Sequence, residues 1–276
     1  MIKIFVDSGS SIKKEERESY GVEVLPLQIL LNDKEYLDGE NLSMDVFYKA
    51  LIDDKIFPKT SLPFLDEAES RVNKCVNDGY DVIVLTISSG ISGTFNALNM
   101  LFKDNPKVRV IDSKTAVGGM KILVREANKY RNESLDFVEE KLNALIPRIK
   151  VLAVPETLDY LHRGGRLSKA GWIVGSLLKV KPIIELKHTV SVAGKTLGLK
   201  SAMKFILSAL ENCDTNYPIV PSYTFDTKNL DEMIAKTKEE HQAVMTEKDN
   251  IDPAVAAHWG PNAFGYIFVE GFCHKL

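Results

Sequence analysis

Four hydroxyl side chains and two glycines are concentrated in the segment SSGISGT at 88–94, called here the SSGISGT loop. The segment follows the apolar run 82–87, which is too short for an ordinary helix and typical of a strand buried on both faces. Apolar residues at helical spacing over 97–101 predict a helix next. The N-terminus of a helix, approached by glycines and hydroxyls, can hold an anion. The alternative is that Ser92 or Thr94 only caps the helix.

Two further predicted strands also end in polar pairs. The strand at 3–6 is followed by Asp7 and the strand at 108–111 by Asp112, each with a serine next in the chain. Ligands of open parallel sheets lie beyond the carboxyl ends of the strands, so these loops and the SSGISGT loop are expected to share one edge. The alternative is that each aspartate only caps the helix that follows.

Strands and helices alternate through the first half of the chain, which predicts a mainly parallel sheet between helical layers. The run 22–31 is predicted as one strand with Pro26 at a bulge or an edge, because proline cannot donate a hydrogen bond to a sheet. Pro147 indicates a boundary near residue 150. We therefore predict an N-terminal α/β domain at 1–150 and a C-terminal α/β domain at 151–276.

The second half has a different pattern, and a mixed or antiparallel sheet is predicted there. The runs 183–186 and 190–193 are expected to pair as a hairpin. An amphipathic helix is predicted over 230–245 and a last strand over 266–269. The segment 171–178 is apolar and rich in small residues.

The composition of the 276 residues is that of a soluble globular protein, with 45% hydrophobic residues and a net charge of −3. The small charge argues against a general nucleic-acid surface. Three distant cysteines without metal-ligand spacing favour a reducing compartment, and no apolar run approaches membrane-spanning length. We predict a cytoplasmic protein without stable membrane insertion. The histidines are scattered and predict no metal site.

Four motifs occur in order along the chain: TSLP at 60–63, SSGISGT at 88–94, LDYLHRGGRLS at 158–168 and HWGPNAFG at 258–265. With the opening VDS and the internal VIDSKTA, they resemble the DegV family of bacterial fatty-acid-binding proteins over essentially the whole chain. The ordered set is far more specific than any one motif.

The resemblance implies a two-domain protein that holds a long-chain fatty acid in a buried apolar tunnel, with the carboxylate at the domain interface. The first domain carries the TSLP and SSGISGT motifs, and the second carries GGR and HWGPNAFG. Some members, often called FakB, present the bound acid to a separate fatty acid kinase. The resemblance therefore implies a lipid-binding protein with no chemistry and no cofactor of its own, of the kind that in some members is the non-catalytic subunit of such a kinase.

Positions that match the family's motifs are expected to bind the head group. They are Thr60, Ser61, Ser92, Gly93, Thr94 and His258. Arg163 and Arg166 are candidates for charge near the head group or for docking, although both can instead be solvated turn residues. His258, beside Trp259 and a Gly-Pro turn, would without the resemblance be taken for an ordinary interface histidine.

Three places depart from the family pattern. Phe64 stands where a small hydroxyl residue is usual, which removes one polar group near the TSLP motif. Trp259 and Asn262 stand where Thr and Gly are common, and are expected to narrow the site around His258. The segment KTLGLKSA at 195–202 replaces a stretch richer in arginine and lysine in kinase-coupled members. Its Leu197, Gly198 and Leu199 predict retained lipid binding with weaker coupling to a kinase.

Two other functions fit parts of the sequence. A serine hydrolase acting on a lipid or ester would use Ser92 as nucleophile, with Asp7 or Asp112 orienting His258. The loop, however, lacks the second glycine of G-x-S-x-G. A binder of phosphorylated metabolites would use the same helix N-terminus, and the absence of a Walker lysine motif argues against nucleotides.

Overall fold

The structure is a computed structural model that describes residues 1–169, 171, 180–241 and 244–271. Most of the apolar segment predicted at 171–178 lies outside the described residues, as do Lys179, Cys273 and His274. The chain divides into two compact units. The first comprises Met1–Pro147 and Asp252–Val255, and the second comprises Arg148–Ile251 and Ala256–Leu276.

The first unit contains two sheets and a set of helices. Its strands are β1 Ile2–Asp7, β2 Val22–Leu25, β3 Gln28–Leu31, β4 Lys34–Leu37, β5 Lys59–Ser61, β6 Asp81–Thr86 and β7 Val108–Asp112. Its helices are α1 Arg17–Tyr20, α2 Met44–Tyr48, α3 Leu65–Asn77, α4 Thr94–Phe102, α5 Gly118–Lys129 and α6 Leu135–Leu145.

The larger sheet of the first unit has the order β2-β1-β6-β7 and is parallel throughout, as predicted. On one face, Val82 and Val84 of β6 pack with Val72 of α3 and Leu98 of α4. Successive side chains of a strand point to opposite faces, and the alternate residue Ile83 is equally buried. Both faces are therefore covered, which explains the continuous apolar run in the sequence.

The predicted single strand at 22–31 is wrong. Its two halves are β2, which belongs to the parallel sheet, and β3, which lies in a separate antiparallel sheet of order β4-β3-β5. Pro26 has no N–H to give to a ladder. The next N–H, that of Leu27, is donated to Ser8 Oγ at 3.0 Å instead of to a strand. The chain can therefore change sheets at this point.

The second unit is built on one six-stranded mixed sheet. Its strands are β8 Ile149–Val154, β9 Val180–Lys187, β10 Thr189–Leu197, β11 Val220–Tyr223, β12 Asp249–Asn250 and β13 Phe264–Val269. Their order is β10-β9-β8-β13-β11-β12, with only the pair β11 and β12 parallel. The helices are α7 Asp159–Arg163, α8 Leu199–Ala209, α9 Lys228–Glu240 and, continuing from the first unit, α10 Pro253–Trp259.

The core of the second unit lies between this sheet and helices α8 and α9. Met203 of α8 and Met233 of α9 are fully buried against Tyr266 of β13. The hydroxyls of Tyr266 and Thr237 are hydrogen-bonded at 2.7 Å. Burial raises the pKa of Tyr266 to about 12, so this buried hydroxyl stays neutral.

Two details of the second half differ in extent from the prediction. The hairpin of β9 and β10 forms as expected, with Thr189 opposite Lys187, but both strands are longer than predicted. The helix predicted over 230–245 ends at Glu240. Met245, its predicted last residue, instead forms an isolated parallel bridge with Ile219.

Candidate functional site

The SSGISGT loop of the first unit is organised by its own hydroxyl groups. The hydroxyls of Ser92 and Thr94 lie 2.9 Å apart, and the Thr94 N–H is donated to Ser92 Oγ at 3.3 Å. The N–H groups of Ile91 and Ser92 are donated to the Ser88 carbonyl, each at 3.1 Å. Ser92 thus stands at the start of α4, whose first turn has N–H groups without intrahelical acceptors. The arrangement can accept an anion from the solvent side, since Ser92 is only half-buried.

The predicted meeting of strand ends occurs between the loops after β6 and β7. Ser89 donates its hydroxyl to Asp112 Oδ2 at 2.6 Å and its N–H to Asp112 Oδ1 at 3.0 Å. Asp112 Oδ1 also accepts the Lys114 N–H at 3.0 Å. The Asp112 carboxylate therefore has a structural role in fixing the loop.

Asp7, at the end of β1, lies completely buried beside the same loop. Its carboxylate accepts N–H groups from Gly9 at 2.9 Å and Ile87 at 2.7 Å. Burial outweighs these two hydrogen bonds and raises the pKa of Asp7 to about 7. Oδ1 caps the 3-10 turn at Ser8–Ser10 through the Gly9 N–H, and Oδ2 ties the end of β1 to the residue that follows β6.

The TSLP loop, residues 60–63, lies next to the SSGISGT loop within the first unit. A methyl group placed on Gly93 would be 3.5 Å from Leu62 Cδ2, an ordinary van der Waals contact. The Leu62 carbonyl accepts the Gln28 side-chain amide at 2.6 Å, which ties the TSLP loop to β3. The structure therefore brings the first two predicted head-group loops together.

Thr60 and Ser61 occupy successive positions of β5, opposite Ile29 and Gln28 of β3. Successive side chains of a strand point to opposite faces. Thr60 is half-buried and Ser61 is exposed. The two hydroxyls therefore cannot both face one head group while β5 keeps this form, and the burial favours Thr60.

The remaining predicted site residues, His258, Arg163 and Arg166, lie in the second unit. A methyl group placed on Gly164 would be 2.2 Å from His258 Nδ1, so the imidazole packs directly on the glycine backbone. Arg166 donates a guanidinium hydrogen bond to the Gly164 carbonyl. Burial, reinforced by repulsion from the Arg166 charge, lowers the pKa of His258 to about 4. His258 is accordingly neutral at neutral pH and can offer one N–H to a carboxylate.

The two arginines of the GGR segment differ. Arg166 is half-buried, and burial lowers the pKa of its guanidinium from the ordinary value, although the group stays charged at neutral pH. Arg163, at the end of α7, is exposed. The structure thus places Arg166 beside His258 and leaves Arg163 at the surface of the second unit.

A second glycine fixes the chain after His258. Gly260 has a φ of +73°, and a methyl group placed on it would be 2.2 Å from Tyr160 Cδ2. Asn262 has a φ of +60° and donates its side-chain amide to Glu156 Oε2 at 2.7 Å. Glycine and asparagine are the residues that adopt this left-handed conformation readily, which explains the exchange at position 262. The expected narrowing of the site by Trp259 stays a prediction.

The other two departures also have visible local consequences. Phe64 stands at the N-cap of α3, where it is 47% exposed and supplies no side-chain cap. Leu197 ends β10 and is 76% exposed, whereas Leu199 packs against the core of the second unit. Only one of the two leucines therefore changes the surface directly.

The geometry within the first unit does not favour a nucleophilic Ser92. Across the described residues, the hydrogen bonds of its hydroxyl are with Thr94. Asp7 and Asp112, the acids considered for a triad, have both oxygens engaged by backbone groups or Ser89. The sequence analysis did not predict that side chains pack on the backbones of Gly164 and Gly260. The available signals were the Gly-Gly pair at 164–165 and the Gly-Pro pair at 260–261.

Comparison with known proteins identifies the family. Residues 1–271 match the family model described as "Uncharacterised protein, DegV family". The chain belongs to the DegV family. A DegV domain-containing protein of Clostridium acetobutylicum is 29% identical over 280 residues, covering 98% of this chain and 99% of the relative. A second from the same organism is 30% identical over 283 residues, with the same coverage.

Solved structures of similar proteins agree with the fold over nearly the whole chain. A stearic-acid-binding protein from Eubacterium ventriosum has a TM-score of 0.86 and 26% identity, covering 98% of each chain. A fatty-acid-binding DegV protein from Thermus thermophilus has a TM-score of 0.83 and 27% identity, covering 98% of this chain and 99% of the other. The two-domain α/β architecture predicted from the sequence is confirmed.

No helix of the described chain is long and apolar enough to cross a membrane. Histidine, cysteine and carboxylate side chains form no metal-binding group among the residues that the structure describes. The cytoplasmic location stays a prediction.

Proposed function

We propose that the protein binds a long-chain fatty acid in a buried apolar tunnel, with its carboxylate held by hydroxyl groups of the first unit and by His258 of the second. One observation carries the proposal. The chain matches, over 98% of its length, the structures of a stearic-acid-binding protein from Eubacterium ventriosum and a fatty-acid-binding DegV family protein from Thermus thermophilus. The protein has no chemistry of its own in this proposal.

The head-group assignment rests on chemistry within each unit. A carboxylate removed from water needs hydrogen-bond donors or a cation, because its burial is otherwise costly. In this proposal, Ser92, Gly93 and Thr94 supply donors at the start of α4, and the Thr60 hydroxyl of β5 supplies another. A neutral His258 supplies one further N–H beside the Arg166 charge. Ser61 is a weaker candidate because it is exposed and its side chain points to the opposite face of β5 from that of Thr60.

The tail is expected to supply most of the affinity. About fourteen methylenes of a C16 chain, at roughly 0.8 kcal/mol each, contribute about 11 kcal/mol before the cost of association. Each head-group hydrogen bond contributes on the order of 1 to 3 kcal/mol. The polar residues therefore chiefly set the orientation of the acid.

A matched pair of serines tests the assignment. Ser92→Ala removes a proposed head-group donor and should weaken palmitate binding about tenfold, since one hydrogen bond is lost. Ser89→Ala removes a hydroxyl already bonded to Asp112, so it should lower stability by about 1 kcal/mol and leave affinity unchanged. Calorimetric titration and urea unfolding measure the two effects. Equal affinities of the Ser92→Ala variant and the parent protein would show the assignment to be wrong.

The proposal also includes presentation of the bound acid to a fatty acid kinase. The exposed Leu197 and the glycine at 198 reduce the density of basic residues in the segment 195–202, where Lys195 and Lys200 are exposed. We expect weak coupling to such a kinase. Acyl-phosphate formation with a purified bacterial fatty acid kinase measures it, and robust turnover would contradict the expectation.

A further inference from the structure

A cluster of buried polar groups in the first unit holds the segment Asp252–Val255. Ala254 donates its N–H to Asp38 Oδ1 at 3.0 Å, and Asp252 donates its N–H to Ser11 Oγ at 3.1 Å. The Asp252 carboxylate is paired with the Lys13 ammonium group. We call Ser11, Lys13 and Asp38, with the Ser8 hydroxyl that is bonded to Asp38, the Asp38 anchor.

The anchor accepts a hydrogen bond from an N–H group in the first turn of helix α10, where N–H groups have no acceptor within the helix. Helix α10 runs from Pro253 to Trp259, and the first N–H groups of any helix lack intrahelical acceptors. Proline at the first position has no N–H to satisfy. Ala254 is the next residue, and its N–H is donated to Asp38, 216 positions earlier in the chain, rather than to a local cap. Asp38 therefore acts as a cap supplied from another part of the sequence.

Asp38 is itself held in a fixed position. Its Oδ2 accepts the Ser8 hydroxyl at 2.7 Å, and Ser8 Oγ accepts the Leu27 N–H at 3.0 Å. Asp38 and Ser11 have no exposed surface, and Asp252 is 5% exposed. A buried network in which each polar group has a partner is rigid, because breaking any bond leaves a desolvated group.

His258 lies in the same helix, one turn beyond Ala254. We infer that the Asp38 anchor positions His258 by fixing the start of α10, so that Asp38 is a positioning residue for the head-group site. The inference rests on the proposed function only in taking a fatty-acid carboxylate as the ligand that His258 contacts. The orientation of the imidazole itself can be followed without any ligand.

The first test follows the His258 ring in the ligand-free, full-length protein. The imidazole C–H signals are recorded by nuclear magnetic resonance and the His258 signal is identified by its loss in His258→Ala. Asp38→Ala should shift or broaden that signal, and Asp38→Asn, which keeps a carbonyl oxygen for the Ala254 N–H, should restore it. Thr237→Ala removes a buried hydroxyl elsewhere in the core and should leave the signal in place. An unmoved His258 signal in folded Asp38→Ala would overturn the inference.

The second test is a double-mutant cycle with palmitate. Asp38→Ala should weaken binding about tenfold in the parent protein and have no further effect in the His258→Ala background, because the anchor acts through that imidazole. Independent, additive losses would contradict the inference. If Asp38→Ala does not fold, Ser11→Gly replaces it, since Ser11 has a φ of +53° that glycine adopts without strain. Failure of the parent protein to bind palmitate would defeat the proposed function while leaving the resonance test intact.

Discussion

The SSGISGT loop and the surroundings of His258 are fixed by different physical means. In the first, side-chain oxygens bind backbone N–H groups, as Ser92 does for Thr94 and Asp112 does for Ser89. In the second, rings pack on glycine backbones, as His258 does on Gly164 and Tyr160 does on Gly260. A hydrogen-bonded loop tolerates added volume but loses function with its polar atoms. A region packed on glycine backbones should instead tolerate the loss of polar atoms and be destabilised by added side-chain volume.

The two regions should also respond to pH with opposite sign. The pKa of Asp7 rises to about 7 on folding, so the folded protein keeps a proton that the unfolded chain releases, and stability falls as pH rises from 4 to 7. The pKa of His258 falls to about 4, so the unfolded chain binds the extra proton, and stability rises as pH rises from 4 to 6.5. The two contributions oppose each other over the same interval.

Removing one group at a time should separate these contributions. Relative to the parent protein, Asp7→Asn should gain roughly 4 kcal/mol of unfolding free energy between pH 4 and pH 7, and His258→Gln should lose roughly 3 kcal/mol between pH 4 and pH 6.5. Urea unfolding at unit pH intervals measures both. Curves that run parallel to the parent's would show that neither group is held as the structure indicates.

The next largest effect is expected at Gly260. Gly260→Ala should cost about 3 kcal/mol of stability, because a left-handed φ and overlap with the Tyr160 ring act together. Gly165 is the matched control, since it has a φ of +74° but no atom within 4 Å of an added methyl group. Gly165→Ala should cost only about 1 kcal/mol. Equal losses of stability in urea unfolding would mean that the cost at Gly260 comes from its backbone conformation and not from overlap with the Tyr160 ring.

The smallest effect separates the two regions by ligand affinity. Gly164→Ala must displace the His258 imidazole and should weaken palmitate binding about tenfold, the equivalent of one lost hydrogen bond. Gly93→Ala adds a methyl group at ordinary contact distance from Leu62, so it should change affinity by less than about threefold. Fluorescence displacement of a bound fatty acid probe measures both. A larger loss at Gly93 than at Gly164 would reverse the comparison.

The polar loops could be predicted from sequence because their signals are local. The run 82–87 followed by SSGISGT predicts a buried strand, a loop and a helix, and the observed β6 and α4 match it. The change of sheet at Pro26 could not be predicted, since it depends on a hydrogen bond from Leu27 to the distant Ser8. Asp38 was missed for the same reason, because its partner Ala254 is 216 positions away.

Mass spectrometry of any small molecule that co-purifies with the protein tests the central claim most directly. The protein is purified without added lipid, denatured, extracted and analysed by mass spectrometry. Fatty-acid binding predicts a stoichiometric C14 to C18 fatty acid, with less recovered from the Ser92→Ala, His258→Ala double variant. Recovery of no fatty acid, together with no uptake of added palmitate, would contradict the account.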